Sequence, residues 1–410
     1  MIDLLTYIPE AKKKSSNITV IGVGGGGSNA VDYMYRQGIR DVEFIICNTD
    51  LQALNAKNVP LKITIGDGLG AGANPVKAEK YAEDGADAIR NAFRSKSTKM
   101  AFITACMGGG TGTGAAPVIA KIAREMDILA VGIVTMPLKA EGPARMKRAK
   151  EGLIKLKENL DAILIIDNTM VLKIFGDLTW EEAFHKADDI LSTGAKSLAE
   201  ILIKDDYHLN ADFNDVRKTM LNTGFFLMGT ATAKSANENV VDELINATLQ
   251  SPLLMQNDIT GAKNILLSLT NGADGFLASK TEEVLDRIQQ MADGEAEIIA
   301  AIGVDTNLQP DEVKLIILAT GFDSSKAFKG FNLNLDVQQK VAIPLPINVE
   351  SGETLPTVEG EEELAPVRNE DMEVLRIFEE TPAYMRLNRD IYHHIDPNKQ
   401  KIVKLNLSEV

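Results

Sequence analysis

The chain has 410 residues, 43 Lys and Arg against 58 Asp and Glu, a formal net charge of −15 at pH 7, and two cysteines. That length leaves room for two domains of about 100–200 residues and a tail, while the acidic balance argues against broad nucleic-acid binding, which needs a positive surface. No apolar run reaches the roughly 18 residues of a membrane span, and residues 1–10 lack the basic start of a signal peptide. A cytoplasmic protein without a membrane span is expected, and Cys47 and Cys106, each in a strand-like run, are expected as buried thiols of a reducing compartment.

In chain order, residues 1–16 read as an N-terminal arm. Strands then follow at 18–22, 42–47, 100–105, 128–134 and 162–166, alternating with helical stretches, which predicts an α/β fold with a doubly wound parallel sheet. Such sheets bind ligands at the carboxyl ends of their strands. Gly22-x-Gly24-x-x-Gly27 after the first strand, with Asp50 about 20 residues on, is by itself a dinucleotide fingerprint. The richer signal is Gly108-Gly-Gly-Thr-Gly-Thr-Gly114, set between the apolar run 100–106 and a helix-like stretch from Ala115. Glycines there let the backbone approach an anion, and amide hydrogens with the positive end of the following helix attract it. Gly108, Gly109, Gly110, Thr111, Gly112 and Thr113 are therefore expected to clamp a polyphosphate, with the two hydroxyls as extra donors. No Walker A lysine closes either loop.

A long helix is expected from about Ala183 to an acidic loop at Asn210. A smaller sheet should be built from the apolar runs 225–231, 264–270, 297–302 and 314–320. Residues 337–372 mix Pro344, Pro346, Pro356 and Pro366 with the acidic run 359–363 and read as a disordered linker. Beyond it lies a short amphipathic segment, 375–386, and then an extension carrying Arg389, His393, His394, Lys399, Lys401 and Lys404. That extension reads as a solvated end, with contact to anionic lipid as the alternative.

Several of these motifs, in this order, resemble the tubulin/FtsZ family: Gly-Gly-Gly-Thr-Gly-Thr-Gly at 108–114, Val23-Gly-Gly-Gly-Gly-Ser-Asn-Ala30, Cys47-Asn-Thr-Asp50, Gly68-Leu-Gly-Ala-Gly-Ala-Asn-Pro75, Glu141-Gly-Pro-Ala-Arg145, Ile166-Asp-Asn168, Ala187-Asp188 and Asn210-Ala-Asp-Phe-Asn-Asp215. The resemblance covers roughly residues 15–335 and a tail motif, Thr381-Pro-Ala-Tyr-Met-Arg386. It implies a GTP-binding domain at 17–182, a core helix and acidic loop at 183–215, and a GTPase-activating domain at 216–336. The linker at 337–372, a partner-binding peptide at 373–390 and the basic extension at 391–410 complete the chain. It also implies GTP/GDP as the nucleotide, held by Gly24, Gly25, Gly26, Gly27, Asn29, Asn48, Gly72 and Ala73 with the 108–113 clamp, by Glu141 and Arg145 on the ribose and phosphate side, and by Asn168, Phe184 and Asp188 at the base. Mg²⁺ would be held through phosphates and water, with no protein metal site. Asp212, Asp215 and Asn210 would reach the nucleotide of the next subunit and activate the hydrolytic water. The sequence departs from the family's usual pattern at Met136, where a lysine is common, and at Pro143-Ala144, where two lysines often stand.

The residues taken alone leave plainer readings open. Phe184 and Asp188, one helical turn apart, suit a core ring and a solvated charge as well as a base-stacking ring and a carboxylate facing guanine's two donors. Glu141 and Arg145 suit a surface ion pair, and Asp212 with Asp215 suits a helix N-cap with an acidic N3 residue. The functional expectation is a GTPase that assembles head to tail and scaffolds bacterial cell division at midcell, with tethers and regulators docking at 378–386. The alternatives are a non-division filament protein using the same pocket and, remotely, a Rossmann NAD-dependent oxidoreductase.

Overall fold

A computed structural model describes residues 17–39, 42–176, 179–203, 207–209, 212–251, 253 and 258–322. The arm at 1–16, Asn210, and the linker, tail peptide and extension beyond 336 lie outside the described residues.

Six strands, β1 (Ile18–Val23), β2 (Glu43–Asn48), β3 (Leu61–Thr64), β4 (Met100–Cys106), β5 (Leu129–Met136) and β6 (Ala162–Asp167), pair in parallel in the order β3-β2-β1-β4-β5-β6. Every residue of β1 and β5 is buried, which is why their sequences are apolar runs and not alternations. One face packs on the apolar side of α3 (Pro75–Asp84), α4 (Ala86–Ser95), α5 (Thr111–Glu125) and α6 (Pro143–Glu158), through Ala82, Ile89, Phe93, Ile119 and Leu153. The other packs on α1 (Gly24–Arg36), α2 (Leu51–Asn55), α8 (Trp180–Ile203) and α9 (Phe213–Met220), through Val31, Met34, Leu54, Leu191, Leu198 and Met220; α7 (Asn168–Phe175) lies between β6 and α8 in the chain. The five expected strands are present, and α8 begins earlier than expected because Thr179 and Glu182 cap it reciprocally, Thr179 N–H donating to Glu182 at 2.8 Å.

The remaining strands are β7 (Tyr207–Leu209), β8 (Gly224–Lys234), β9 (Asn264–Asn271), β10 (Glu297–Val304) and β11 (Glu312–Thr320), with helices α10 (Val240–Leu249) and α11 (Ala278–Met291). They form a mixed sheet in which β11 lies antiparallel to both β8 and β9, while β9 and β10 run parallel. This second sheet is not separate. Ala162↔Gly224 and Ile163↔Phe225 pair β6 with β8, giving one continuous 11-stranded sheet.

The order of the first sheet reverses at β1, which feeds β2 on one side and has β4 on the other. Open α/β sheets bind ligands at such a switch point. The loops that leave β1 and β4 there are the two glycine clusters.

Candidate nucleotide-binding site

The two glycine loops pack backbone to backbone. Gly24 has φ +73°, and a Cβ there would stand 2.8 Å from the amide nitrogen of Gly112, so both conformation and space demand glycine. A third loop closes on the second, because a Cβ on Gly110 would lie 2.9 Å from Ala71 Cβ and 3.2 Å from Ala73 Cα. Ala73 itself is held at φ +59°, an uncommon conformation for a residue with a Cβ. A fourth segment arrives at Gly108, whose Cβ would be 2.8 Å from Arg145 Cγ. The structure thus brings residues 24–27, 71–74, 108–113 and 141–145 to one floor at the carboxyl ends of the strands.

Helices α1 and α5 both start at this floor without a side-chain N-cap, which leaves their first amide hydrogens and positive dipole ends turned to whatever lies there. The two threonine hydroxyls also have partners within the loops, and the bond that Thr113 Oγ1 accepts does not use its O–H. Thr113 Oγ1 accepts from Gly108 N–H at 2.8 Å, and the Thr111 hydroxyl bonds that of Thr49 at 2.7 Å, so both brace the loop. Arg148 Nε donates to Gly108 O at 3.1 Å, a further brace that the sequence did not signal. Asn48 is buried and its Oδ1 accepts from Thr49 N–H at 2.8 Å. Asp50, the acidic residue of the dinucleotide fingerprint, lies after β2 and not within it; its carboxylate caps α2 by accepting from Ala53 N–H at 2.9 Å.

Two glycines have no packing reason to be glycine. A Cβ on Gly25 or Gly109 would meet nothing within 4 Å, and neither residue has a positive φ. Their bare backbone faces open space, as a close-approaching ligand requires. Nearby, Asn168 is buried with its Oδ1 lacking any hydrogen-bond partner, an orphan that a ligand donor would satisfy. Asp188, on α8, has its carboxyl pushed up to about 6 by burial, partly offset by the neighbouring His185 and by a hydrogen bond from Asn29. Burial likewise pushes the Cys106 thiol up to about 12, and Asp188, Arg145 and Glu141 all lie close enough to act on it. These groups therefore lie near Cys106, against which Gly26 packs directly. Phe184 lies on the same helix, α8, but its side chain is outside the described residues.

The Glu141–Arg145 ion pair forms at 3.0 Å, with the other Glu141 oxygen accepting from Leu138 N–H at 2.7 Å. Both departures from the family pattern have structural causes. Met136 is 1% exposed in the core, where a charge would be costly, and Pro143 occupies the first turn of α6, where its missing N–H costs nothing.

Asp212 and Asp215 are elsewhere. Asp212 caps α9, Oδ1 accepting from Asp215 N–H at 2.8 Å, and Asp215 Oδ2 accepts from Asp212 N–H at 3.0 Å. From α9, Arg217 donates to Asp127 Oδ1 at 2.7 Å, and Asp127 lies just before β5. That end of the sheet is opposite the glycine loops, about 22 Å away along the 15-residue α5 at 1.5 Å per residue.

Residues 17–176 match the model of the tubulin/FtsZ family GTPase domain, and residues 224–323 match that of the FtsZ family C-terminal domain. The chain belongs to the tubulin/FtsZ family. It is 40% identical over 310 residues to the cell division protein FtsZ of Porphyromonas gingivalis, covering 75% of this chain and 67% of that protein. It is 39% identical over 338 residues to the same-named protein of Buchnera aphidicola, covering 81% and 84%. Among solved structures it is similar to an empty FtsZ dimer of M. jannaschii, with 36% identity, a TM-score of 0.69, and coverage of 76% of this chain and 89% of that one. An FtsZ-family fold with a GTPase domain leaves no support for the oxidoreductase reading, which rested on the fingerprint whose acidic residue is used as a helix cap.

Proposed function

We propose that this protein is a GTP-dependent cell-division GTPase that polymerises head to tail and hydrolyses GTP at the junction between two copies. The observation that carries the reading is the separation of parts. A cradle for phosphates stands at one end of the parallel strands, and the paired carboxylates Asp212 and Asp215 are held by Arg217 to the other. A single copy cannot bring them together, whereas a head-to-tail pair can.

In this reading the glycine-loop amides and the positive ends of α1 and α5 bind the phosphates, and the Glu141–Arg145 pair borders the ribose. The Asp188 carboxylate accepts from guanine N1–H and the exocyclic amine, while Asn168 fills its unpaired acceptor. Adenine lacks those donors, and a site built for them rejects it. Asp212 and Asp215 of the next copy, with Asn210, hold the attacking water in line with the γ-phosphate. Mg²⁺ bound by phosphates and water supplies charge neutralisation. Domain limits follow the assignment of 17–182 to GTP binding and 216–336 to activation, and the protein works in the cytoplasm at midcell. No helix among the described residues is long and apolar enough to cross a membrane, and residues 378–386 are assigned to membrane tethers and regulators.

The test is complementation between two inactive variants. Asp212→Ala keeps the pocket and loses the loop; Asn168→Ala with Asp188→Ala loses the pocket and keeps the loop. Each alone should be nearly inactive, and the mixture should hydrolyse GTP. If pelleting shows co-assembly and the mixture stays inactive, the shared-site reading is wrong.

A further inference from the structure

The helix α5 has one end in each half of the proposed junction. Its first turn is the phosphate clamp, Thr111–Thr113, and the turn that follows its last residue, Glu125, presents Asp127. Arg217, on α9, grips that turn twice, Nη2 donating to Asp127 Oδ1 at 2.7 Å and Nη1 donating to the Asp127 carbonyl at 3.5 Å. The Arg217 side chain is 28% exposed and that of Asp127 90%, so charge attraction is screened and the tie acts through its geometry, two donors on one turn. Asp127 adopts φ +56°, an uncommon conformation for a residue with a Cβ, which turns the chain sharply enough to offer both its carboxylate and its carbonyl. A second tie lies just beyond α9, where Arg124 in the last turn of α5 donates to Asn222 Oδ1 at 3.4 Å.

The next residue on α9 binds in another direction. Lys218 Nζ pairs with Glu297 Oε1 at 3.0 Å, on β10, but with side-chain exposures of 68% and 56% this is a loose surface pair. The short α9 is seated in the core by Val216 and Met220, Arg217 is its tie to the turn after α5, and it is capped at its start by Asp212 and Asp215. Fixing Arg217 fixes those carboxylates relative to α5, hence relative to the same subunit's own phosphate clamp.

Resting on the shared-site reading above, we infer that Arg217 is a positioning residue for hydrolysis: by locking α9 to the turn after α5, it sets the spacing between a subunit's pocket and its acidic loop. In a filament that spacing must match from junction to junction, since the loop of one copy is registered on the pocket of the next. Displacement of a reacting group by about 1 Å costs on the order of a hundredfold in rate. Loss of the Arg217 tie should therefore lower kcat tenfold or more, to order of magnitude, with KM for GTP little changed.

A merely structural arginine would weaken the protein wherever it sat, so the test places the change on one side of the junction only. Arg217→Gln is added in turn to each member of the complementing pair. In the Asn168→Ala/Asp188→Ala variant, which donates the loop, it should cut the restored hydrolysis about tenfold or more. In the Asp212→Ala variant, which donates only the pocket, it should change nothing, and Arg217→Lys in the loop donor should restore a large part of the rate because an ammonium still reaches Asp127. Asp127→Gly gives an independent reading: it removes the carboxylate while relieving the positive φ, so it should leave thermal stability equal or higher and still lower kcat. Equal losses with Arg217→Gln on either side, or no loss on the loop side, would overturn the inference while leaving the shared site standing. If the parent mixture co-assembles but is silent, the shared site fails first and the inference falls with it.

Discussion

Replacing Gly25 with alanine should separate binding from folding, because the two respond with opposite signs. Gly25 lies in the first turn of α1, has no positive φ, and a Cβ there meets nothing within 4 Å. Alanine is better than glycine in a helix by about 0.5–1 kcal/mol, and the nucleotide-free protein should unfold at an equal or slightly higher temperature. The same methyl would occupy space over the phosphate cradle. Loss of one backbone hydrogen bond to a charged phosphate oxygen costs about 1.5–3 kcal/mol, so GTP affinity should fall roughly 10- to 100-fold. Gly26→Ala is the contrast. Its Cβ would collide with the Cys106 side chain, standing 2.9 Å from Cys106 Cβ, and such overpacking costs about 1–3 kcal/mol of stability. Calorimetric GTP titration and thermal unfolding of both variants without nucleotide give the four numbers needed. A Gly25→Ala protein that binds GTP like the parent would refute the assignment of that open space to the ligand.

In the proposed site Asp188 should make base recognition pH-dependent. Its carboxyl is raised from 3.8 to about 6, so the empty protein loses stability as pH climbs through that window, while binding, which needs the anion, weakens as pH falls through 6. Between pH 7.5 and 5.5 the ionised fraction drops from about 97% to about 24%, a fourfold loss of GTP affinity relative to tripolyphosphate, which meets the same loops without a base; an unshifted carboxylate would give a flat ratio. Cys47, free, buried and pushed up to about 12, should react with iodoacetamide at pH 8 about a thousandfold slower than an ordinary thiol until the protein is unfolded, whereas Cys106, expected as buried, is only half-buried and should be the faster of the two. Asp212→Asn should keep the cap of α9, since Asn caps as well as Asp, yet lose most hydrolysis, and unchanged turnover in that variant would assign the residue to the helix alone. Deleting residues 378–410 should leave polymerisation and GTPase intact and abolish membrane recruitment; loss of assembly would place the tail within the folded body.

The parts of the site legible in sequence were those fixed by backbone chemistry. β1 and β5 are buried on both faces and so read as unbroken apolar runs, and the glycines at 24, 108, 110 and 112 mark where only a bare backbone fits. What stayed hidden depends on contacts remote in sequence. Nothing local marks the four-residue β3, or says that Ala162 and Ile163 pair with Gly224 and Phe225 to fuse two sheets into one. Nor could the motif show that the Thr111 hydroxyl bonds that of Thr49, that Thr113 Oγ1 accepts from Gly108 N–H, or that Asp50 turns to its own helix. A polar side chain announces that it will bond, while the fold decides with what.

The acidic loop posed a choice in sequence between helix cap and water activation; the geometry shows the cap, and the proposed second role is compatible with it. Asp212 Oδ1 accepts from Asp215 N–H, and Asp215 Oδ2 accepts from Asp212 N–H. Each carboxylate has two oxygens, and capping uses one of each. The cap also orients the pair, because two reciprocal bonds fix both side chains to the first turn of α9 instead of leaving them to rotate in solvent. In the proposed reading an isolated copy carries oriented carboxylates without substrate, and a phosphate cradle that supplies no base. In the proposed reading, capping is the means by which the two carboxylates stay oriented to act on a neighbour, and the structural role becomes a condition of the chemical one.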